Sequence, residues 1–427
     1  MLATKRTKWD KTADVVVVGY GLAGAVTAIA ARDLGASAVI LEKQDAASHV
    51  STSSISGGLF LSPTEVNGAI KHMEALAKAG QQGMRWTSPD ILRAWAEKAV
   101  ENADWIKKLG GNAHLEEEPA EHTQLPGAET IRRWRYNGCG LRLMELMKEQ
   151  VKSRKVQVLY QTPASRLLTN AAGDVIGVKA TDVSGGKRRV VNIKASKAVV
   201  LCSGGFEENE EMKLQYLRTY PVYFAGAVGN TGDGISMAQE VGADLWHMNC
   251  CSARLCAKFP DYPYAFLIRF GAQGKNGKPV GYVLVNRHGN RYINENLKGH
   301  AAWYEVTRFD TYRLEYPAVP SYHIFDKGRM EASTLTQLTS GPAGPHQLYK
   351  WSRDNSDELK RGWIISGDTI AELARKIRIP RASLEKTVKT WNKLCEKGKD
   401  TEFGRNPNDM APIDNPPFYA VKLFPGG

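Results

Sequence analysis

The chain alternates between short, wholly apolar runs and longer stretches in which apolar residues recur every three or four positions. That texture predicts strands buried on both faces with helices packed against them. Val15–Val18 is the first such run and stops at Gly19. An Ala-rich helix follows over Ala25–Leu34, with Gly35 where a C-terminal stop belongs. Ala38–Leu41 predicts a second strand, ending at Glu42. After a Ser/Thr/Gly loop, Pro63 to Leu109 reads as mostly helical, with Ile91, Leu92, Trp95, Ala96 and Ala99 at helical steps. Strands take over from Lys155: Val156–Tyr160, then Val175–Thr181 and Arg188–Ile193 flanking Gly185-Gly186 as a hairpin, then Ala198–Cys202 running into Ser203-Gly204-Gly205. Beyond Trp246 the texture becomes aromatic and proline-rich, as in FPDYPYAF (259–266), and a domain boundary is expected there. Thr369–Lys376 and Ser383–Cys395 predict amphipathic helices, the second following Pro380 and capped by Ser383.

A length of 427 residues exceeds what one hydrophobic core organises, so two domains are expected. Lys and Arg outnumber Asp and Glu by 57 to 45, but they are scattered. The excess therefore points to an anionic cofactor or substrate, or to a solvated basic surface, and away from nucleic acid. The six cysteines are irregularly spaced and read as reduced thiols. Cys250, Cys251 and Cys256 lack a CxxC pair, so no metal site is expected. No window reaches the roughly 18 to 20 unbroken apolar residues of a membrane span, and MLATKRTKWDKTA lacks the apolar core of a secretion signal. The cytoplasm is the expected compartment.

Gly19-Tyr20-Gly21-Leu22-Ala23-Gly24 matches GxGxxG, which carries weight here through its context. It follows a strand and opens a helix, and the acid Glu42 ends the next strand. Gly19 allows the tight turn, Gly21 lets backbone approach a pyrophosphate, and Gly24 lets helix and strand pack closely. The helix start at Leu22 and Ala23 offers N–H groups and a partial positive charge to phosphates. Glu42 can accept from the ribose hydroxyls of an adenosine, and Lys43 beside it closes the dinucleotide-binding segment.

Several segments resemble the flavoprotein superfamily of fumarate reductases, succinate dehydrogenase flavoprotein subunits and ketosteroid Δ1-dehydrogenases. They are DVVVVGYGLAGAVTAIAARDLGASAVILEK (14–43), SSISGGLFL (53–61), KAVVLCSGGFEEN (197–209), TGDGISMAQEVGADL (231–245), VNRHGNRYINE (285–295) and FYAVKL (418–423). The resemblance implies FAD as cofactor. It assigns Ser53, Ser54, Ser56, Gly57 and Gly58 to the loop along the ribityl and flavin, and Ala164 to a position facing the adenine. Ser203 and Gly204 match the turn near the pyrophosphate, and Asp233 a turn close to the cofactor. Where membrane-bound members carry a flavin-linking histidine this chain has Ser51, so the FAD is expected to be non-covalent; His49 is two residues out of register.

The resemblance further implies an α/β fold: a Rossmann-type FAD-binding domain over 1–247, an inserted α+β capping domain over 248–415, and a return to the FAD domain over 416–427. Compared with the family, the sequence lacks a last flavin-site segment after Gly427. It also lacks the His-Pro-Thr segment of the fumarate reductases, and Gly299, followed by His300, stands where they carry a proton-delivering arginine. His300 is thus a candidate for proton transfer, with Tyr264, Arg269, Tyr292 and Lys298 as further candidates. Arg291 and Glu295 read instead as a structural ion pair. The expected activity is hydride transfer between flavin N5 and a C–C bond next to a carbonyl, on a ketosteroid-like, enone or enoate substrate with an unknown redox partner. A fumarate- or urocanate-type enoate reductase and a catalytically inactive flavin-binding protein are the alternatives.

Overall fold

The computed structural model describes residues 7–80, 87–117, 121–249, 251–296, 300 and 302–427. The chain divides into two compact units, residues 1–204 with 233–243, and residues 205–232 with 244–427.

The first unit is built on the apolar runs at the start of the chain. Strand β1 (Lys11–Val18) leads into helix α1 (Leu22–Asp33) and strand β2 (Ala38–Leu41). A short helix α2 (Thr52–Ile55) and strand β3 (Leu59–Leu61) precede α3 (Val66–Gly80), α4 (Pro89–Ala99) and α5 (Asn102–Lys108). Strands β4 (Ala113–Leu115) and β5 (Arg133–Tyr136) then lead to α6 (Cys139–Ser153) and β6 (Gln157–Leu159). Strands β7 (Ala164–Thr169), β8 (Val175–Asp182) and β9 (Arg189–Leu201) complete the set. The main sheet has the order β6-β2-β1-β9-β8-β7, and β3, β5 and β4 form a small sheet of their own. The β1 strand pairs in parallel with β2 (Val15 with Ala38 to Val18 with Leu41) and with β9 (Val15 with Ala198 to Val18 with Leu201). Val16, Val17, Ile40 and Ile29 are inaccessible: Val17, Ile29 and Ile40 pack in one apolar cluster with residues of α1 and α6, and Val16 in another with residues of β7, β8 and β9.

The two strands read as Arg188–Ile193 and Ala198–Cys202 are one strand of 13 residues. Its first half pairs antiparallel with β8 across the predicted Gly185-Gly186 hairpin, and its second half pairs in parallel with β1. Lys194 is paired on both sides, and Ser196 and Lys197 fall at an irregularity in the register with β1, which resumes at Ala198, so the polar residues do not end the strand.

Residues 205–232 carry α7 (Glu210–Tyr216) and belong to the second unit, while α8 (Asp233–Glu240) returns to the first. The second unit continues with β10 (Arg254–Lys258), β11 (Ala265–Leu267), β12 (Tyr282–Asn286), α9 (Ala302–Val306), β13 (Ser321–Asp326) and α10 (Lys327–Ala332). After these come α11 (Ser356–Lys360), β14 (Ile365–Gly367), α12 (Ile370–Ile377), α13 (Arg381–Glu396) and β15 (Phe418–Gly426). Its antiparallel sheet has the order β11-β10-β15-β13-β12, with β14 also on β15. The return of 416–427 to the first domain is therefore not what the chain does. Strand β15 lies inside the second sheet, because its alternate residues fill two opposite cores: Tyr419, Val421 and Leu423 face one, and Ala420 faces the other, under α12 and α13.

Helix α13 starts at Arg381 after Pro380 and takes no side-chain cap, so Ser383 sits within its first turn and not at its cap. Helix α12 does carry one: Thr369 accepts from the Glu372 N–H at 3.1 Å.

Candidate functional site

The residues expected to hold a dinucleotide gather in the first unit, at the C-terminal ends of the parallel strands β1, β2 and β9, where open α/β sheets bind ligands. Gly19 turns the chain with φ +103°, and a β carbon there would lie 2.4 Å from the Cys202 carbonyl oxygen. At Gly24 a β carbon would lie 2.0 Å from the Gly19 carbonyl oxygen. Both glycines are thus demanded by the protein's own packing. Gly21 differs. It is the N-cap of α1, makes no side-chain cap, and a β carbon there would meet nothing closer than Ser53 Oγ at 3.4 Å. Its missing side chain faces room for a ligand.

The Ser-rich loop is anchored at the same place. The Leu22 N–H donates to Ser53 Oγ at 3.0 Å, so this first-turn donor is already partnered, and Ala23 follows it in the helix. Ser51 caps α2, exchanging hydrogen bonds with Ser54 at 3.2 Å in each direction. Ser56 Oγ donates to the Ser53 carbonyl at 2.8 Å and accepts from the Gly58 N–H. The Gly57 carbonyl accepts from Arg135 at 2.9 Å. A β carbon at Gly58 would lie 2.6 Å from the Cys139 backbone, so the loop rests directly on the start of α6. Most of these hydroxyls therefore shape the loop.

Glu42 is buried at the end of β2. It accepts from the Tyr20 N–H at 2.9 Å and the Gln44 N–H at 2.8 Å, and His49 Nε2 lies 3.6 Å away. Burial pushes its carboxyl up, but His49 and the two N–H donors together hold it below the usual glutamate range. It is a carboxylate at neutral pH, and each oxygen keeps acceptor capacity for a ribose hydroxyl. Lys43 pairs with Asp233 at 2.8 Å, joining two of the expected residues at the start of α8. Ser203 packs against both Gly19 and Gly234, just before Gly204, and Ala164 opens β7 opposite Ala180.

His49 stands two residues away from the flavin-linking position. In the structure it is buried, stacked on Tyr20 with ring centroids 5.6 Å apart and edge-on to Tyr160 at 6.1 Å. The aromatic residue inside the glycine motif is the sequence signal that points to this box. Together these features fit the adenosine and pyrophosphate of FAD: an open glycine at a helix start, an ionised buried acceptor and a turn of small residues.

The second unit holds a cavity of about 710 Å³ whose wall includes Arg254, Arg269, Phe270, Tyr282, Leu284 and His300. Of the candidate catalytic residues it brings Arg269 and His300 together. Tyr264 lies in an aromatic cluster 6.0 Å from Tyr262. Tyr292 packs against the core with its hydroxyl buried beside Ser321, and burial pushes its pKa well up. Lys298 lies outside the described residues, as does Gly299. Arg291 and Glu295 form the expected ion pair at 2.7 Å, joined by Asp400 at 2.9 Å from Arg291. Arg254 and Tyr282 were not among the expected residues: each falls within a strand, β10 and β12, whose own sequence shows no polar pattern that singles it out. Cys250 also lies outside the described residues, while Cys256 donates to the Tyr223 carbonyl and burial pushes its thiol up to about 12. Among the described residues no helix is long and apolar enough to cross a membrane.

Residues 14–427 match the family described as FAD binding domain. The chain belongs to that family. Within it, the chain is a member of the fumarate reductase and ketosteroid dehydrogenase superfamily. It is 26% identical over 438 residues to a probable fumarate reductase of Shewanella frigidimarina, covering 98% of this chain and 64% of that protein. It is 26% identical over 462 residues to a digoxin reductase of Eggerthella lenta, covering 98% of this chain and 76% of the relative. The chain thus spans less than two thirds of the first of these relatives. Its fold is shared with the 3-ketosteroid Δ1-dehydrogenase from Sterolibacterium denitrificans, solved in complex with 1,4-androstadiene-3,17-dione: TM-score 0.77, 24% identity, 97% of this chain and 88% of that one. FAD is the cofactor of this FAD-binding family member.

Proposed function

We propose that the protein is an oxidoreductase acting on a C–C bond next to a carbonyl, with a ketosteroid-like or other enone as substrate. Bound FAD supplies hydride exchange at that bond. The chain's own residues do the rest. Glu42, the open turn at Gly21 and the start of α1 hold the cofactor's adenosine and pyrophosphate, and the loop from Ser51 to Gly58 runs beside them. In the second unit Arg269 and His300 orient the substrate, and the imidazole of His300 moves the proton that accompanies the hydride.

The observation that carries this reading is the cavity of about 710 Å³, in which Leu255, Leu267, Ile268, Phe270, Leu284 and Ile293 share the wall with the charged Arg254, Arg269 and Glu295. Such a volume and lining suit a ring-sized, largely apolar ligand better than a four-carbon diacid. The names of the relatives span both kinds of substrate. Arg254 and Arg269 on the same wall favour a second reading, an enoate whose carboxylate pairs with a guanidinium.

Steady-state reduction of benzylideneacetone and of fumarate by the FAD-loaded protein, with reduced methyl viologen supplying the electrons, separates the two. The enone is expected to be turned over faster, and fumarate rates equal to or above it would overturn the first reading. His300→Ala is expected to lower kcat by about a hundredfold; unchanged turnover would remove His300 from the proton step.

A further inference from the structure

The floor of the second unit's cavity is built more firmly than its rim. Tyr282 is 5% exposed and lines the cavity at the start of β12. Its carbonyl accepts from Arg405 Nη1 at 2.8 Å, and the same guanidinium stacks on its ring, 3.9 Å from the centroid. Beside it Phe270 also lines the cavity, and the carbonyls of Phe270 and Arg269 accept from Arg329 at 2.7 and 2.5 Å. Arg329 and Arg405 are fully buried. His323 fills the space between the two rings, 5.4 Å from Tyr282 and 5.2 Å from Phe270.

These two cations are not equivalent. Arg405 has Glu295 at 3.9 Å, although that carboxylate is already committed to Arg291 at 3.0 and 2.7 Å. Arg329 is held by main-chain carbonyls, including that of Ser333 at 3.1 Å, so among the described residues dipoles and no carboxylate balance it. A buried guanidinium so placed is costly, and its position directly beneath the cavity wall gives it a use. It fixes the wall's main chain and leaves a positive field behind it. His323 adds no further charge, since burial and then the two arginines hold its pKa well below the usual histidine range.

The Tyr282 hydroxyl has a glycine beside it that also lines the cavity. This neighbour is Gly271, at which a β carbon would sit 3.2 Å from the phenol oxygen and 3.3 Å from its ring edge. Any side chain in that place would cover the hydroxyl. Burial pushes the Tyr282 pKa up, so the group is a protonated donor throughout the neutral range.

We propose that Tyr282 donates a hydrogen bond to the carbonyl oxygen of the substrate, on a floor locked by Arg329 and Arg405. The inference rests on the reading of this cavity as the substrate site and adds to it the group that polarises the substrate. A donor aimed at the oxygen where negative charge develops favours hydride addition to the conjugated carbon, and a preorganised one pays no reorganisation cost during the reaction. Nothing about Tyr282 in the sequence suggests this role; it emerges from the ring stacked on a buried cation and the hydroxyl set beside a glycine of the cavity wall.

The test uses the full chain with FAD bound and benzylideneacetone as the probe, whose near-ultraviolet absorption moves to longer wavelength when its carbonyl accepts a hydrogen bond. The wild type is expected to bind the probe and shift its band. Tyr282→Phe keeps the ring over Arg405 and removes one oxygen; it is expected to abolish the shift and weaken binding about tenfold, with flavin content and melting temperature unchanged. Gly271→Ala crowds the hydroxyl without removing it and is expected to diminish the shift, which keeps the test decisive should Tyr282→Phe fold poorly. Wild-type shift and affinity in both variants would overturn the role of Tyr282 and leave the cavity reading intact. Failure of the wild type to bind the probe, or binding untouched by a cavity-filling Gln337→Trp, would instead overturn the cavity reading and the inference with it.

Discussion

Gly21 and Gly24 do different work in one motif, and substitution should separate them. A β carbon at residue 24 would stand 2.0 Å from the Gly19 carbonyl oxygen, a distance no side-chain rotation relieves. Gly24→Ala must push α1 off β1, and a loss of at least about 2 kcal/mol of stability is expected in urea unfolding, together with the flavin. At Gly21 the nearest atom to a new methyl is Ser53 Oγ at 3.4 Å, an ordinary contact. Gly21→Ala is therefore expected to keep the melting temperature of the FAD-free protein within about 2 °C while its flavin absorbance at saturation falls. Equal losses of stability in the two variants would show that Gly21 is structural too. The packing role of Gly24 was legible in the motif's spacing, which also singles out Gly21 and the acid Glu42 as the positions to test for the cofactor. His49 was not legible, because its burial depends on Tyr20 and Tyr160, residues separated from it by 29 and 111 positions that only the folded sheet brings together. The placing of the Tyr282 hydroxyl was hidden for the same reason: it needs Gly271 beside it, and no local pattern links the two.

Elements were legible where one local signal dominated. The apolar run and glycine stop located the end of β1 and the body of α1, although β1 already begins at Lys11 and α1 at Leu22, and Ala38–Leu41 matches β2 end to end. Signals failed where pairing decided. The long strand β9 carries polar residues that suggested a break, yet two different neighbours hold it together along its length. Helix starts show the same contrast. Thr369 accepts from the Glu372 N–H at 3.1 Å, and Glu372 reaches back to the Asp368 N–H at 2.8 Å, so the start of α12 is tied from both sides. Ser383 resembles a cap in sequence but lies inside α13, because Pro380 already sets the extended geometry from which that helix begins. Thr369→Ala is expected to cost about 1 kcal/mol in chemical unfolding and Ser383→Ala less than about 0.5 kcal/mol. The reverse order would mean that Ser383 caps α13 in solution after all.

At the scale of the whole molecule, the chain carries a formal charge of +12 and yet holds fully buried carboxylates in both units, Glu42 in the first and Asp400 in the second. Every proton taken up in acid adds to the self-repulsion of an already basic protein, so the buried acids set where acid stability ends. Asp400 is the clearer case. It accepts from Arg291 at 3.2 and 2.9 Å and from the N–H groups of Glu402 and Arg405 at 3.0 Å each. Burial alone would push its carboxyl up, but Arg291 and these donors pull it well below the ordinary value of 3.8. A carboxyl lowered on folding contributes stability that is fully present above that ordinary value and is lost as pH falls through the lowered, folded-state one. Asp400→Asn removes the charge while Arg291 stays buried and keeps Glu295, so at neutral pH it is expected to cost about 1.5 to 3 kcal/mol of unfolding free energy. The gap between wild type and variant should then close as the pH is taken down into the range where the wild-type carboxyl is itself protonated. Urea unfolding of both proteins from neutral pH into acid reads this directly. Parallel curves, with no convergence in acid, would mean that the charge on Asp400 is not what binds Arg291 into the core, and that packing of Arg291 between Trp391 and Phe403, with centroids 4.6 and 5.1 Å from its guanidinium, holds the network instead.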